Sequence, residues 1–179
     1  MNITVYLGAR EGNTPAFREA AAEVGEWIAR DGHRLIYGGS GVGLMGVLAD
    51  AVVNNGGEAI GVEPQFFIDD GLLHEGITKT IPTQNMADRR VLMMEMGDAY
   101  IALPGGVGTL DEISEAIVMG ALGKHEKPCI LYNKDGYYDL LRDFFDQMVD
   151  RDFLTAEARS MIRFAGSLEE IRQALKDLE

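Results

Sequence analysis

The chain has 179 residues, of which 46% are hydrophobic and 25% charged, and its formal net charge is −13. These values are typical of a single globular domain, and the apolar runs fall far short of the roughly 18 residues that cross a bilayer. Strong acidity disfavours broad electrostatic contacts, so we expect neither nucleic acid nor a membrane as a partner. The chain begins with a strand-like segment instead of a signal peptide, and its single Cys129 cannot form an intrachain disulfide. A cytoplasmic location is therefore expected.

Strand-like and helix-like patterns alternate along the whole chain. In order, the predicted elements are a strand at 3–7, a helix at 16–30, a strand at 33–37, a helix ending near 55, a strand at 59–62, an irregular stretch at 66–75 and a strand at 77–81. A helix at 85–96, a strand at 100–103, a helix at 110–122, a strand at 129–132, a helix at 137–149, a strand at 161–164 and a terminal helix follow. Thr14-Pro15 is a helix start signal, and Ser167 with Glu170 has capping-box spacing.

This alternation predicts βαβ units and therefore the α/β class. We expect one Rossmann-like domain over residues 1–179, a three-layer sandwich with a mostly parallel sheet of about seven strands.

Two glycine-rich loops follow predicted strands and lead into predicted helices. Glycine lets the backbone approach a ligand closely, and a helix N-terminus offers unpaired N–H groups and a partial positive charge to an anion. Because ligands collect at the carboxyl ends of parallel strands, the two loops predict one shared crevice for a phosphate-like group. The candidate binding residues are Gly39, Ser40 and Gly43 in the first loop and Gly105, Gly106, Val107, Gly108 and Thr109 in the second. The alternative is that these glycines serve only tight turns and close helix packing.

The first loop also allows a dinucleotide interpretation. Residues 41–46 fit G-x-G-x-x-G, and Glu63 lies 20 residues after Gly43, where an acidic residue would bind a ribose. That fingerprint normally follows the first strand, whereas this one follows the second. The chain contains no P-loop sequence and no His, Cys or carboxylate cluster with metal spacing, so we expect neither a metal nor another cofactor.

Charged residues next to the crevice are the candidates for chemistry. Glu112 follows the second loop, and Glu115 lies one turn further on the same helix face. Thr109 and Glu112 also have capping-box spacing, so Glu112 is either a reacting carboxylate or a helix cap. Arg89 and Arg90 lie near the start of the preceding helix, where they either face the crevice or form a solvated basic pair.

Several segments together resemble the LONELY GUY (LOG) family of cytokinin riboside 5′-monophosphate phosphoribohydrolases, which were long mislabelled lysine decarboxylases. Residues 104–112, which read PGGVGTLDE, resemble the family signature PGGxGTxxE. Four further segments resemble the family's YGGG…GLMG, GVxP, LGxHxKP and DGYYD motifs, at residues 37–46, 61–64, 122–128 and 135–139. The resemblance thus covers nearly the whole chain.

The resemblance implies roles for individual residues. Residues 86–90 align with the family's MHERK segment, which makes Arg89 the catalytic arginine, and the signature makes Glu112 the catalytic glutamate. Positions that the resemblance or the loops assign to substrate binding also include Arg10, Met86, Arg90 and Glu115. The chain departs from the family at Ala87, Asp88 and Arg90, which replace histidine, glutamate and lysine, and at Ala9, where a serine contact is lost and Arg10 compensates.

The implied activity is hydrolysis of the N-glycosidic bond of a nucleoside 5′-monophosphate, which gives free base and ribose 5-phosphate. The resemblance also implies a homodimer that uses no cofactor. A nucleotide-binding module without hydrolysis remains the alternative. A decarboxylase would need a lysine that carries pyridoxal phosphate, and no lysine lies beside either glycine loop.

Overall fold

A computed structural model describes residues 1–176 and shows one seven-stranded sheet, in the order β4-β3-β2-β1-β5-β6-β7. All neighbouring strands pair in parallel. The strands are β1 Asn2–Tyr6, β2 Arg34–Tyr37, β3 Glu58–Pro64, β4 Lys79–Thr83, β5 Ala99–Ala102, β6 Cys129–Tyr132 and β7 Ile162–Ala165. The helices are α1 Pro15–Arg30, α2 Gly43–Asn54, α3 Gln65–Asp69, α4 Met86–Met96, α5 Val107–Ala121, α6 Asp139–Asp150, α7 Ala156–Ser160 and α8 Leu168–Lys176.

The predicted α/β class and the seven parallel strands are confirmed. Both helix start signals are also confirmed: the Thr14 hydroxyl accepts from the Ala16 N–H at 3.4 Å, and the Ser167 hydroxyl accepts from the Glu170 N–H at 3.3 Å. The short helix α7 was not predicted, and β4 is shifted by two residues towards the C-terminus. The larger correction concerns α5, which begins at Val107 and not at residue 110.

Two apolar layers cover the sheet. Helices α1, α2 and α8 pack on one face, against side chains such as Ile3 and Leu35, and α4, α5 and α6 pack on the other, against side chains such as Tyr100 and Leu131. Strands buried on both faces need no alternation of polar and apolar residues, which is why β5 and β6 read as continuous apolar runs. No helix within residues 1–176 has the length and apolar character needed to cross a membrane.

The order of the strands determines where a ligand can bind. From β1 the chain winds outwards through β2 and β3 to β4, and then returns to place β5 on the other side of β1. The winding direction therefore reverses between β1 and β5. A crevice opens at such a switch point, outside the carboxyl ends of the two strands. Tyr6 and Ala102 are paired there, immediately before the two loops that form the site.

Candidate active site

A cavity of about 460 Å³ lies at this switch point. Its volume is within the range of ordinary small-molecule sites. Predicted site residues that line it are Arg10, Met86, Arg89, Gly105, Gly106, Val107, Gly108, Thr109 and Glu112. The structure thus brings together the loop after β5, the first turns of α4 and the loop after β1, although these segments are far apart in the sequence.

The turn from β5 into α5 is fixed to β1 by backbone hydrogen bonds. The Leu103 N–H donates to the Tyr6 carbonyl at 2.9 Å, and the Gly8 N–H donates to the Pro104 carbonyl at 3.2 Å. Gly106 is the N-cap of α5 and provides no side-chain cap. The first N–H groups of this helix therefore have no intrahelical partner, at a place where the backbone lines the cavity.

The capping-box interpretation of Thr109 and Glu112 is wrong. Because the N-cap is Gly106, Thr109 lies inside the first turn of α5 and Glu112 lies in the second turn. The Thr109 side chain is 4% exposed and packs against Gly105, where a Cβ would overlap the Thr109 hydroxyl. The Glu112 carboxylate consequently has no capping role and is directed to the cavity that it lines.

Glu112 has an unusual environment for a carboxylate. Burial raises its pKa from the ordinary 4.5 to about 7, the Arg89 guanidinium opposes this increase, Asp111 adds to it, and Arg90 again opposes it. Glu112 also raises the pKa of the buried Tyr6 phenol, after burial itself, so the two side chains are close. A pKa near neutrality suits a group that exchanges or orients protons at physiological pH.

Arg89 is buried beside this carboxylate but is not paired with it. Its residue is 7% exposed, and its Nη2 donates to the Gly38 carbonyl at 3.1 Å, while its Nε has no hydrogen-bond partner. Within residues 1–176, Arg89 forms no ion pair shorter than 4.0 Å, unlike Arg90. A buried guanidinium that forms no direct ion pair is energetically costly, which points to an anionic ligand. A Cβ at Gly38 would overlap Nη2, so this glycine is needed to admit Arg89.

Arg90 and Glu115 lie outside the cavity lining and connect α4 with α5. The Arg90 Nε donates to Glu115 Oε2 at 2.9 Å, and its Nη1 lies 3.3 Å from Asp111 Oδ2. The two predicted site residues therefore contact each other, and their position is one turn of α5 behind Glu112. Of the two, Arg90 acts on Glu112, whose pKa it lowers from outside the cavity.

Of the first glycine loop, Gly38, Leu44 and Met45 line the cavity, whereas the predicted binding residues Gly39, Ser40 and Gly43 do not. The Gly39 carbonyl accepts from the His74 N–H at 3.0 Å, and the Ser40 hydroxyl accepts from the Val42 N–H at 3.3 Å. Gly43 has φ +60° and lies against the Ala9 carbonyl, which a Cβ would overlap. Gly39, Ser40 and Gly43 are thus placed to support neighbouring loops.

Sequence reasoning missed part of the cavity wall. Tyr137 donates its hydroxyl to the Gly105 carbonyl at 2.5 Å and packs edge-on against Phe17, with ring centroids 5.4 Å apart. The segment around Tyr137 was visible only as a motif, and nothing local marks Phe17. The other missed side chains include Val5, Tyr6, Leu7, Leu44, Met45, Met93 and Glu11. Most are apolar residues whose contribution depends on which strand lies next to which.

Two alternatives lose their support in this geometry. Glu63 is 1% exposed and lies beside Arg89 inside the protein, so it is not available for the ribose contact of a dinucleotide site. No lysine of the described residues lines the cavity, as a pyridoxal site would require. Among residues 1–176 no three His, Cys, Asp or Glu side chains are placed to hold a metal ion.

Comparison with protein families gives a match to the family described as "Possible lysine decarboxylase" over residues 45–175. Two curated relatives carry a different description, cytokinin riboside 5′-monophosphate phosphoribohydrolase. One, from Rhodococcoides fascians, is 40% identical over 94% of this chain and 85% of its own length. The other, LOG1 of Arabidopsis thaliana, is 38% identical over 98% of this chain and 82% of its own length.

Solved structures share the fold at lower identity. The molybdenum cofactor binding protein of Rippkaea orientalis has a TM-score of 0.75 and 24% identity, and it matches 99% of this chain and 96% of its own. The molybdenum cofactor carrier protein of Chlamydomonas reinhardtii has a TM-score of 0.77 and 21% identity, with the same coverage. These similarities concern the architecture of the domain.

Proposed function

Since the chain belongs to the family of cytokinin riboside 5′-monophosphate phosphoribohydrolases, we propose that it hydrolyses the N-glycosidic bond of a nucleoside 5′-monophosphate. The substrate is a cytokinin ribotide or AMP, and the products are the free base and ribose 5-phosphate. The observation that carries this proposal is the meeting of three features in one cavity: an uncapped helix N-terminus, a buried unpaired Arg89, and Glu112 with a pKa of about 7.

The phosphate binds at the start of α5. The N–H groups of residues 106–109 and the helix dipole attract an anion, and no side chain occupies the space beside Gly106 and Gly108. Arg10 on the loop after β1 and Arg89 on α4 supply positive charge at the same cavity. This local charge is needed because the whole chain carries a net charge of −13.

Glu112 acts on the sugar. Cleavage of an N-glycosidic bond develops positive charge at C1′ and the ring oxygen, as in O-glycoside hydrolysis. The ionised Glu112 stabilises that charge and orients a water molecule, whose oxygen bonds to C1′ while the bond to the base nitrogen breaks and a proton is transferred to the base. Arg89 positions the substrate beside Glu112, and the energy of phosphate binding helps to align the reacting atoms.

The remaining wall suits a planar base. Tyr6, Phe17, Met45, Met86 and Met93 provide aromatic and thioether surface around the cavity. Methionine side chains adapt their shape to flat ligands, and aromatic side chains stack on such ligands. Isopentenyl adenine and adenine both fit this chemistry, so the base preference depends on how much apolar surface the ligand covers.

We further propose that the protein is a cytoplasmic homodimer that associates through α5. This helix buries Ile113 and Ala116 on its inner face. Its outer side carries a second apolar stripe, which consists of Val107, Leu110 and Val118 in the helix and Leu122 at its C-cap, with exposed fractions of 88%, 41%, 53% and 65%. A helix that is apolar on both sides is normally buried on both sides. A second copy of the chain would cover the stripe close to the cavity entrance.

The test is incubation of the purified protein with AMP and, separately, with N6-isopentenyl-AMP, followed by detection of free base and ribose 5-phosphate. Both products should form from at least one substrate. Glu112→Gln should reduce turnover by about 10³-fold or more while the fold is retained, because it removes a preorganised charge at the reaction centre. Glu115→Gln is the matched control one turn along α5 and should retain most of the activity. Binding of AMP without any product would instead identify a nucleotide-binding module.

A further inference from the structure

Three buried polar groups near the cavity are not explained by the proposed mechanism. Glu63 Oε2, the Tyr37 hydroxyl and Arg89 Nε are all inaccessible and have no hydrogen-bond partner. Their residues are 1%, 0% and 7% exposed. Unsatisfied buried polar atoms are uncommon, and each one is expensive to leave unpaired. Their occurrence together, next to a proposed catalytic arginine, suggests that they act as one unit.

Gly38 and Gly39, the two glycines after β2, leave the space into which the side chains of Arg89 and Glu63 pack. A Cβ at Gly38 would overlap Arg89 Nη2, and a Cβ at Gly39 would lie 2.6 Å from Glu63 Oε2. Arg89 and Glu63 therefore pack against consecutive residues of one loop. Gly39 also has φ +85°, a conformation that other residues rarely adopt. This segment thus serves to admit an arginine and a glutamate, which accounts for both glycines without a ligand contact.

Arg89 interacts electrostatically with two carboxyl groups, without a direct ion pair to either. Glu112 on α5 lines the cavity together with Arg89, whereas Glu63 near the end of β3 is buried against Gly39 and does not line the cavity. Burial raises the pKa of Glu63 to about 7, against the opposing effect of Arg89. Arg89 is the charged group that acts on Glu63. Burial raises the pKa of the Tyr37 phenol, and Glu63 and then Asp50 raise it further.

We propose that Glu63 is a positioning residue for Arg89: its carboxylate orients and partly compensates the guanidinium from the core side, and so its charge sets how strongly the cavity attracts an anionic substrate. When Glu63 is ionised, it draws the free Nε–H inwards and lowers the positive potential of the cavity. When Glu63 is protonated, the full charge of Arg89 acts on the phosphate ester. The statement about substrate rests on the proposed function, whereas the statement about Arg89 does not.

The position of the guanidinium is tested by NMR of protein labelled at arginine Nε. The Arg89 signal is identified as the one that disappears in Arg89→Lys. We expect its Nε–H shift to move with a midpoint near pH 7 in the wild type, to keep this titration in Glu112→Gln, and to lose it when Glu63→Gln is combined with Glu112→Gln, because both carboxyl groups act on Arg89. Glu58→Gln, the same substitution at an exposed position of β3, should behave as the wild type. A pH-independent signal in the wild type, or a titration that disappears in Glu112→Gln, overturns the proposal even if Glu63→Gln fails to fold.

The effect on substrate is tested by the ratio of KM values for AMP between Glu63→Gln and the wild type. At pH 8 the variant should have a KM lower by about threefold or more, because a buried negative charge near the cavity has been removed. At pH 5.5, where Glu63 of the wild type is protonated, the ratio should approach one. Ionisation of the phosphate is common to both proteins and cancels. A ratio that is equal at the two pH values overturns the proposal, whereas a wild type without any hydrolysis removes the proposed function and leaves the NMR result standing.

Discussion

Glu112 carries a proton at a pH where most glutamates are ionised, and this determines how activity should depend on pH. The proposed chemistry requires the carboxylate, and the pKa of Glu112 is about 7. We therefore expect kcat/KM to fall as the pH decreases through about 7, since that parameter reports the ionisation of the free enzyme. A profile that stays flat down to pH 5 would assign the reacting group elsewhere.

The charges of Asp111 and Arg90 should shift the acid limb, the part of the pH profile where kcat/KM falls at low pH, in opposite directions. Asp111 raises the pKa of Glu112 and Arg90 lowers it. Asp111→Asn should therefore shift the limb to lower pH and Arg90→Gln to higher pH. Each shift should be about half a unit or less, because Asp111 is largely solvent-exposed and charges there are screened. Shifts in the same direction for both variants would show that structural disturbance, and not charge, is responsible.

Glu63 has a measurable consequence for stability. Its pKa is raised from 4.5 to about 7 on folding, so between these values the native state binds more protons than the unfolded state. The contribution of Glu63 to stability is then largest below pH 4.5 and decreases as the pH rises to about 7. The total loss is about 3 kcal/mol, at 1.36 kcal/mol for each pKa unit. Glu63→Gln removes this ionisation. The free energy of unfolding of the variant, relative to that of the wild type, should therefore increase by up to this amount between pH 4 and pH 8. Urea unfolding at the two pH values measures the difference, and parallel pH curves for the two proteins would contradict it.

The glycines at the start of α5 have two different roles. Gly105 is required for packing within the fold, whereas Gly106 and Gly108 leave space that only a bound ligand would use. A Cβ at Gly105 would overlap the Thr109 hydroxyl, whereas a Cβ at Gly106 or Gly108 meets no atom within 4 Å. Gly106→Ala and Gly108→Ala should therefore change the unfolding free energy by less than about 1 kcal/mol. They should nevertheless weaken the binding of AMP by about tenfold, because the methyl group enters the space in front of the free N–H groups.

Gly105→Ala is the control for this pair of variants, and it should destabilise the fold itself. Thermal unfolding and AMP titration, measured on the same samples, distinguish the two classes of glycine. Loss of stability at Gly106 without loss of binding would show that the N-terminus of α5 does not hold the phosphate.

At the level of elements, the sequence predicted where the strands and the glycine loops lie, but it did not predict the structural role of each loop. The apolar runs and start signals identified every strand, because buried parallel strands are short, apolar and bounded by glycine or proline. The start of α5 was placed three residues late, since a glycine N-cap leaves no side-chain signal and Thr109 imitates one. Both glycine loops were interpreted as ligand cradles. For the second loop this stays a prediction, whereas in the first loop Gly38 and Gly39 accommodate Arg89 and Glu63, a requirement that arises from β3 and α4 and is invisible locally.

At the level of the whole molecule, the site depends on the strand order. Placing β5 beside β1 brings the turn after Leu103 against Tyr6 and Gly8, and the crossover through α4 places Arg89 above the same edge. Periodicity reveals the strands but not their neighbours, so the cavity walls supplied by Phe17, Met45 and Met93 were not predictable. The resemblance of whole motifs filled part of this gap, because motifs retain residues that meet only in three dimensions.

Self-association is the property that belongs to the entire molecule. If a second copy covers the outer stripe of α5, the mass in light scattering after gel filtration should be twice the 19.6 kDa of one chain. Val118→Glu would place a charge in that contact and should give the monomer, because an unpaired buried charge is costly. Leu140→Glu on α6 is the matched control: Leu140 is 85% exposed, and its replacement should leave the dimer intact. Dissociation by Leu140→Glu but not by Val118→Glu would move the contact to α6, away from the cavity, and the two active sites would then be independent of the association.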